Sequence, residues 1–124
     1  MLVIILCPDR DWKVDGRIPL LFNPCAPLSY HNDACPPGSY MCAMDPSSPE
    51  KGRANIGVPI ELYRNPHNDL VMLLSRGSYD LNGFPFVSLV RFECDGSTSG
   101  NGPIEPATDG SKFFLIWKTK AACP

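Results

Sequence analysis

At 124 residues the chain is the size of one domain, long enough to bury roughly two-thirds of its unfolded surface in a single core without depending on crosslinks. Eleven basic residues against thirteen acidic ones leave a net charge of −2 with no run of like sign, so neither nucleic acid nor an anionic membrane surface is an implied partner. No stretch approaches the ~18 apolar residues of a membrane span, and Met1–Leu6 lacks the length, the basic start and the small-residue cleavage site of a signal peptide.

Fourteen Pro and ten Gly are spread through the whole sequence, and no window of eleven residues keeps a 3.6-residue apolar period clear of them. That argues against long helices and leaves short β-rich runs. The first is Leu2–Cys7. A turn at Asp15-Gly16 leads to Ile18–Asn23, and Tyr40–Met44 follows a cysteine-rich connection. The polar stretch Asp45–Gly52 reads as a loop before Pro59–Arg64. Asn65-Pro66 then turns the chain into Leu70–Ser75, an apolar run that reads as buried sheet or as an edge open to a neighbouring domain. Turns at Arg76-Gly77 and Asn82-Gly83 precede Pro85–Cys94. Within it Phe86, Ser88, Val90, Phe92 and Cys94 alternate with Val87, Leu89, Arg91 and Glu93, which assigns the first set to the core. Asp95–Gly110 is the long polar, Gly-rich loop, and Lys112–Thr119 is the last strand. It is apolar on both faces, Phe113, Leu115 and Trp117 against Phe114 and Ile116, as in a strand covered on both sides. The sum is an all-β domain of seven or more strands, with no internal repeat and no linker that would split residues 1–124.

Six cysteines are an even number, and none falls in a C-x-x-C pair. Disulfides in an oxidising compartment are the simplest reading. Cys35-Pro36-Pro37-Gly38-Ser39-Tyr40-Met41-Cys42 places two of them around two prolines and a turn glycine. That is poor geometry for a metal clip or a redox pair and suitable for a staple.

Four pieces carry a resemblance: Phe22-Asn23-Pro24-Cys25-Ala26-Pro27-Leu28, the Cys35–Cys42 stretch, Val90-Arg91-Phe92-Glu93-Cys94-Asp95, and Phe114-x-x-Trp117-x-Thr119-x-Ala121-Ala122-Cys123-Pro124. In that order and at those separations the chain, from about Arg17 to Pro124, resembles a mannose 6-phosphate receptor homology domain. The nearest pattern is that of the repeats of the large cation-independent mannose 6-phosphate and insulin-like growth factor receptor. The resemblance implies a flattened β-barrel or sandwich of two antiparallel sheets. It also implies the bridges Cys35–Cys42 and Cys94–Cys123, with Cys7 as the candidate partner of Cys25. A fourth bridge usual in the family would join Gly77–Asp80 to Gly110–Lys112, and both of its cysteines are absent here. Because the chain starts on a strand and ends where the homology unit ends, it is expected to be a unit of a longer protein.

Sugar-binding members of the family hold mannose with a Gln, an Arg, a Glu and a Tyr, because paired hydrogen bonds in a shaped pocket are what discriminate a sugar. This chain has no Gln. The Arg position falls near Phe86 rather than on Arg91, the Tyr position falls on Phe113, and Glu105 alone stands for the Glu. Glycan binding by the family's mechanism is therefore disfavoured, since a bound sugar would leave hydroxyls unpaired at ~1–3 kcal/mol each.

His31 and His67 sit beside Asn and Asp in predicted loops and read as turn residues, not metal ligands. Ser29, Ser39 and Ser75 lack a nucleophile motif. No enzyme, metal or cofactor is indicated. Trp117 reads as core, whereas Trp12, among charged residues, reads equally as a lid on the barrel or as a hot spot for a protein partner.

Three functions follow from the sequence. The leading one is a non-lectin receptor-homology domain that binds a protein or serves as a structural module in the secretory-pathway lumen or outside the cell. In the resembled receptor most repeats do not bind sugar, and one is similar to a hormone binder that uses an apolar pocket at the barrel mouth. The second is a lectin with a rearranged site built from Tyr79, Arg91 and Glu105. The third is an assembly component packed on sister domains through Trp12 or the loop edges.

Overall fold

The computed structural model describes residues 11–97 and 103–123, and of 104–109 and Ala121 the backbone alone. Eight strands follow one another: β1 (Trp12–Val14), β2 (Leu20–Phe22), β3 (Met41–Asp45), β4 (Ser48–Arg64), β5 (Leu70–Arg76), β6 (Val87–Cys94), β7 (Ile104–Asp109) and β8 (Lys112–Thr119), with a 3-10 turn at Lys120–Ala122. They hydrogen-bond in the order β1-β2-β3-β4-β5-β6-β8-β7. All neighbours are antiparallel except β6 and β8, which run parallel, β8 lying between β6 and β7. The predicted strand Leu2–Cys7 lies outside the described residues.

A flat sheet in this order would hold β1 and β8 about 29 Å apart, six steps of ~4.8 Å. Instead the rings of Trp12 and Trp117 meet edge-on at 4.8 Å, and Phe22 of β2 lies 6.3 Å from Trp117. The sheet is folded over into two layers. The fold line is β4, whose 17 residues pair with β3 as far as Gly57 and with β5 from Gly57 onward. One strand thus serves both layers of the flattened barrel that the resemblance implies.

The inner faces close on one core: Phe22, Met41 and Ile56 from the first layer, and Leu74, Val90, Phe92, Phe113, Leu115 and Trp117 from the second, each at most 1% exposed. Pro85–Cys94 begins as a strand at Val87. Its predicted inner set holds for Ser88, Val90 and Phe92, all fully buried, while Cys94 at the strand end is exposed.

The outer faces differ. Over the first layer, residues 23–40 fold back so that Leu21, Leu28 and Met44 pack around Cys35–Cys42 with Tyr30. The Asp11 carboxylate accepts the N–H groups of Ser29 and Tyr30 at 2.9 and 3.0 Å, and Tyr30 Oη accepts that of Gly52 at 2.7 Å. Four of the five residues of β3 are buried for that reason. Over the second layer no described element lies, so Phe114 is 37% exposed and Ile116 half-buried. The expectation that both faces of β8 are covered holds only for the inner one.

Other differences from the sequence reading have local causes. Asp45–Gly52 is not a loop: Asp45 pairs with Ser48 and Met44 with Gly52, leaving Pro46-Ser47 as a tight turn closed by Ser47 N–H on Asp45 Oδ1 at 2.9 Å. Asp95–Gly110 contains β7, which pairs with β8 despite a register shift between Ile104 and Ala107. Leu70–Ser75 is not an edge, since β5 lies between β4 and β6.

Cys35–Cys42 and Cys94–Cys123 are bridged as the resemblance implies. Cys25 is also in a disulfide, and its expected partner, Cys7, lies outside the described residues. Where the family's fourth bridge is missing, Phe86 N–H donates to Ser78 C=O at 3.1 Å and Val87 N–H to Ser111 C=O at 3.0 Å, so each segment is tied by a backbone hydrogen bond to the start of β6. Opening the eight-residue Cys35–Cys42 loop in a Cys35→Ala/Cys42→Ala double variant is expected to cost about 2.5 kcal/mol. Urea denaturation checks it, read as a lower midpoint at unchanged slope.

Candidate functional site

Between the two layers, at the end where β6 and β8 begin, the barrel is open. The mouth is a cavity of about 350 Å³. Its walls are Ile18, Ala43, Ala54, Phe86 and Phe113, all of which belong to or pack against the core. The Phe86 and Phe113 rings lie 6.2 Å apart. The resemblance places an Arg near Phe86 and a Tyr at Phe113 as groups that would hold mannose, and this chain has a phenyl ring at each. A phenyl ring offers a sugar hydroxyl neither a lone pair nor an N–H.

The rim is the loop between β5 and β6, and it is tightly tied. Asp80 Oδ1 accepts the N–H groups of Asn82 and Phe84, both at 2.9 Å. Asp80 N–H donates to Phe84 C=O at 2.8 Å, Gly83 N–H donates to Asp80 C=O at 3.0 Å, and Tyr79 bridges Pro85. Gly83 takes φ +83°, which the predicted Asn82-Gly83 turn supplies at no steric cost. Ser78 N–H donates to Asn55 C=O at 2.8 Å, fixing the loop to β4. At Gly77 a Cβ would lie 2.2 Å from that same Asn55 oxygen, so only glycine allows the approach. The loop held this way presents Tyr79 at 67%, Phe84 at 63% and Leu81 fully exposed. Covering a Leu or Phe side chain stabilises a complex by ~1.5–3 kcal/mol. Arg53 and Asp80 add one charge of each sign beside the cavity.

The sequence-predicted residues separate into different places. Tyr79 lines the mouth. Arg91 does not: it lies on the outer face of β6, where Nη2 meets Glu93 Oε2 at 2.7 Å and Nε is 3.8 Å from Asp69 Oδ2. Alternation with buried Val90 and Phe92 directs it away from the barrel interior. Glu105 is in β7, not in an exposed loop, one residue from Pro106. Trp12 packs edge-on against Trp117 with ring centroids 4.8 Å apart. His31 and His67 are exposed in separate loops. Leu81 and Phe84, in the rim loop, and Arg53, which with Leu81 lines the mouth, were not singled out by sequence. The Asn82-Gly83 turn flanked by apolar residues is the signal that points to the first two.

A second cavity of about 320 Å³ lies beside β1 and β2, between Pro19, Leu21, Tyr30, Met44 and Pro49. The hydroxyl of Tyr30 is already engaged by Gly52, and Lys13, Asp15 and Glu50 at its edge offer no single sign of charge. The Asp95 carboxyl is held below its ordinary value by the Ser97 hydroxyl and N–H, at 2.6 and 3.0 Å, in the turn after β6.

The folded-over, disulfide-stapled sheet, with β8 inserted between β6 and β7 and a mouth between the layers, is a fold shared with solved domains of the mannose 6-phosphate/IGF2R receptor. Among solved structures the chain is similar to domain 11 of the chicken IGF2R, with a TM-score of 0.74 at 20% identity over 95% of this chain and 80% of that one. It is also similar to domain 11 of the echidna mannose 6-phosphate/IGF2R receptor, with a TM-score of 0.68 at 17% identity over 92% of this chain and 79% of that one. No family model matches the sequence. The bridges fit an oxidising compartment, and no helix among the described residues is long and apolar enough to cross a membrane.

Wall and rim are expected to respond differently to substitution. Phe113→Ala, at a position 1% exposed, should cost about 3–5 kcal/mol. Leu81→Ser should leave stability within ~0.5 kcal/mol. Paired denaturation curves check both and show which variants can be used for binding.

Proposed function

We propose that this chain is a non-catalytic protein-recognition domain that works in the secretory-pathway lumen or outside the cell and takes an apolar side chain of its partner into the barrel mouth. The observation that carries this reading is the pair Phe86 and Phe113 lining the cavity, beneath a rigid rim that exposes Tyr79, Leu81 and Phe84. Interfaces draw their energy from a few buried aromatic and aliphatic anchors seated in such pockets. The likeness to a receptor domain is one of fold and supports the reading only to that extent.

A lectin with a rearranged site is the second reading, because Arg53, Tyr79 and Asp80 stand beside the same cavity and can offer hydrogen bonds to hydroxyls. The two separate by experiment. With a photo-crosslinking amino acid in place of Leu81, the protein reading expects capture of one extracellular or lumenal protein, competed by the unmodified domain and at least tenfold less well by the Leu81→Ser/Phe84→Ser variant. It also expects silence on an array of phosphomannosyl and high-mannose glycans. Micromolar binding to that array, lost in Arg53→Ala/Tyr79→Phe, would replace the protein reading with the lectin one.

A further inference from the structure

Among the described residues the sheet has three open edges. β1 is three residues long, and β7 is broken by the register shift around Pro106; shortness and interruption both discourage strand addition. The third edge is the second half of β4. β3 leaves it at Gly57, and beyond that residue no described strand pairs along its other side. Pro59 and a register shift between Pro59 and Glu61 blunt its beginning. The remainder carries Ile60, Leu62 and Tyr63, which are 38, 47 and 42% exposed.

The direction of the backbone groups on this edge follows from the turn that ends it. Asn65 N–H donates to Asp69 C=O at 3.0 Å, one step beyond the pair Arg64 and Leu70. Residues of an antiparallel ladder point their N–H and C=O alternately at the partner and away. Glu61 and Tyr63 therefore face β5, while Leu62 and Arg64 offer their backbone groups outward.

We propose that this edge pairs with itself: two copies of the chain join β4 to β4, antiparallel, about a two-fold axis at Leu62, extending the second layer across both molecules. Symmetry restricts the choice, because a two-fold axis normal to a continuous sheet must pass through a residue opposed to itself. Centring on Glu61 sets two carboxylates against each other and enlists Ile60, at the bulge, for the hydrogen bonds. Centring on Tyr63 sets Leu62 against the cationic Arg64. Centring on Leu62 opposes leucine to leucine, lets the two Leu62 exchange N–H and C=O, and brings each Glu61 carboxylate opposite the Tyr63 phenol of the second copy, which donates to it. The paired segment is short, so the buried area falls below the ~800 Å² per partner of a standard interface. The dimer is a weak one that forms at high local concentration, as on a crowded membrane surface or in an array of such domains.

Sedimentation equilibrium of the intact oxidised chain from ~20 µM to ~1 mM tests this. The weight-average mass is expected to rise toward twice the monomer's across that range, and Leu62→Lys, which places two ammonium groups face to face at a half-exposed position, should hold it at the monomer value with an unchanged near-UV spectrum. Leu62→Cys is expected to yield a covalent dimer on a non-reducing gel, and Tyr63→Cys much less of one. A monomer mass throughout, a rise in mass that Leu62→Lys leaves intact, or crosslinking through Tyr63→Cys in preference to Leu62→Cys overturns the proposal.

Discussion

Gly57 stands opposite Met41 of β3 and opposite Arg76 of β5, and its carbonyl accepts the N–H of Tyr40 at 3.1 Å. Its φ is +125°, and a Cβ built on it would lie 1.9 Å from the carbonyl oxygen of Ser75. No side chain can be placed there without moving backbone. Because this residue is held in both pairings, β4 leaves one layer and enters the other within a single step. That fold line brings Trp12 and Phe22 over Trp117, encloses the core, and leaves the gap between layers that becomes the mouth.

The two layers then meet different demands. The first has a second, smaller core on its outside, organised by the Cys35–Cys42 staple and the Asp11 carboxylate. On the outer face of the second, Arg91 pairs with the carboxylates of both Asp69 and Glu93. Such solvent-screened pairs contribute little to stability. The mouth is lined largely by apolar side chains. The rim loop is fixed by Asp80, and the walls present two phenyl rings where hydroxyl recognition would call for polar groups.

Much of this is legible in the sequence, for physical reasons that can be named. The strands around Val90 and Trp117 show strict alternation or a long apolar run, and both register within a residue or two of the structure. The Cys35–Cys42 and Cys94–Cys123 bridges follow from the resemblance, whereas the approach of Phe86 to Phe113 is seen only in the structure. The first half of β4 and all of β7 read as loops because Ser48–Gly52 and Ile104–Asp109 hold Pro, Gly and polar residues. They are held in the sheet by pairing with β3 and β8, not by any local preference. Chemistry alone places Arg91 near a binding site, yet the alternation that buries Val90 and Phe92 directs it outward. The insertion of β8 between β6 and β7 is not legible, since periodicity assigns faces and not neighbours.

The most direct measurement of the account is the behaviour of Gly57→Ala in urea unfolding and near-UV circular dichroism. The account predicts a loss of at least ~3 kcal/mol together with collapse of the near-UV signal from the packed Trp12 and Trp117 rings, because the layers can no longer close on each other. A variant that keeps the parent's unfolding midpoint and its near-UV spectrum would contradict it.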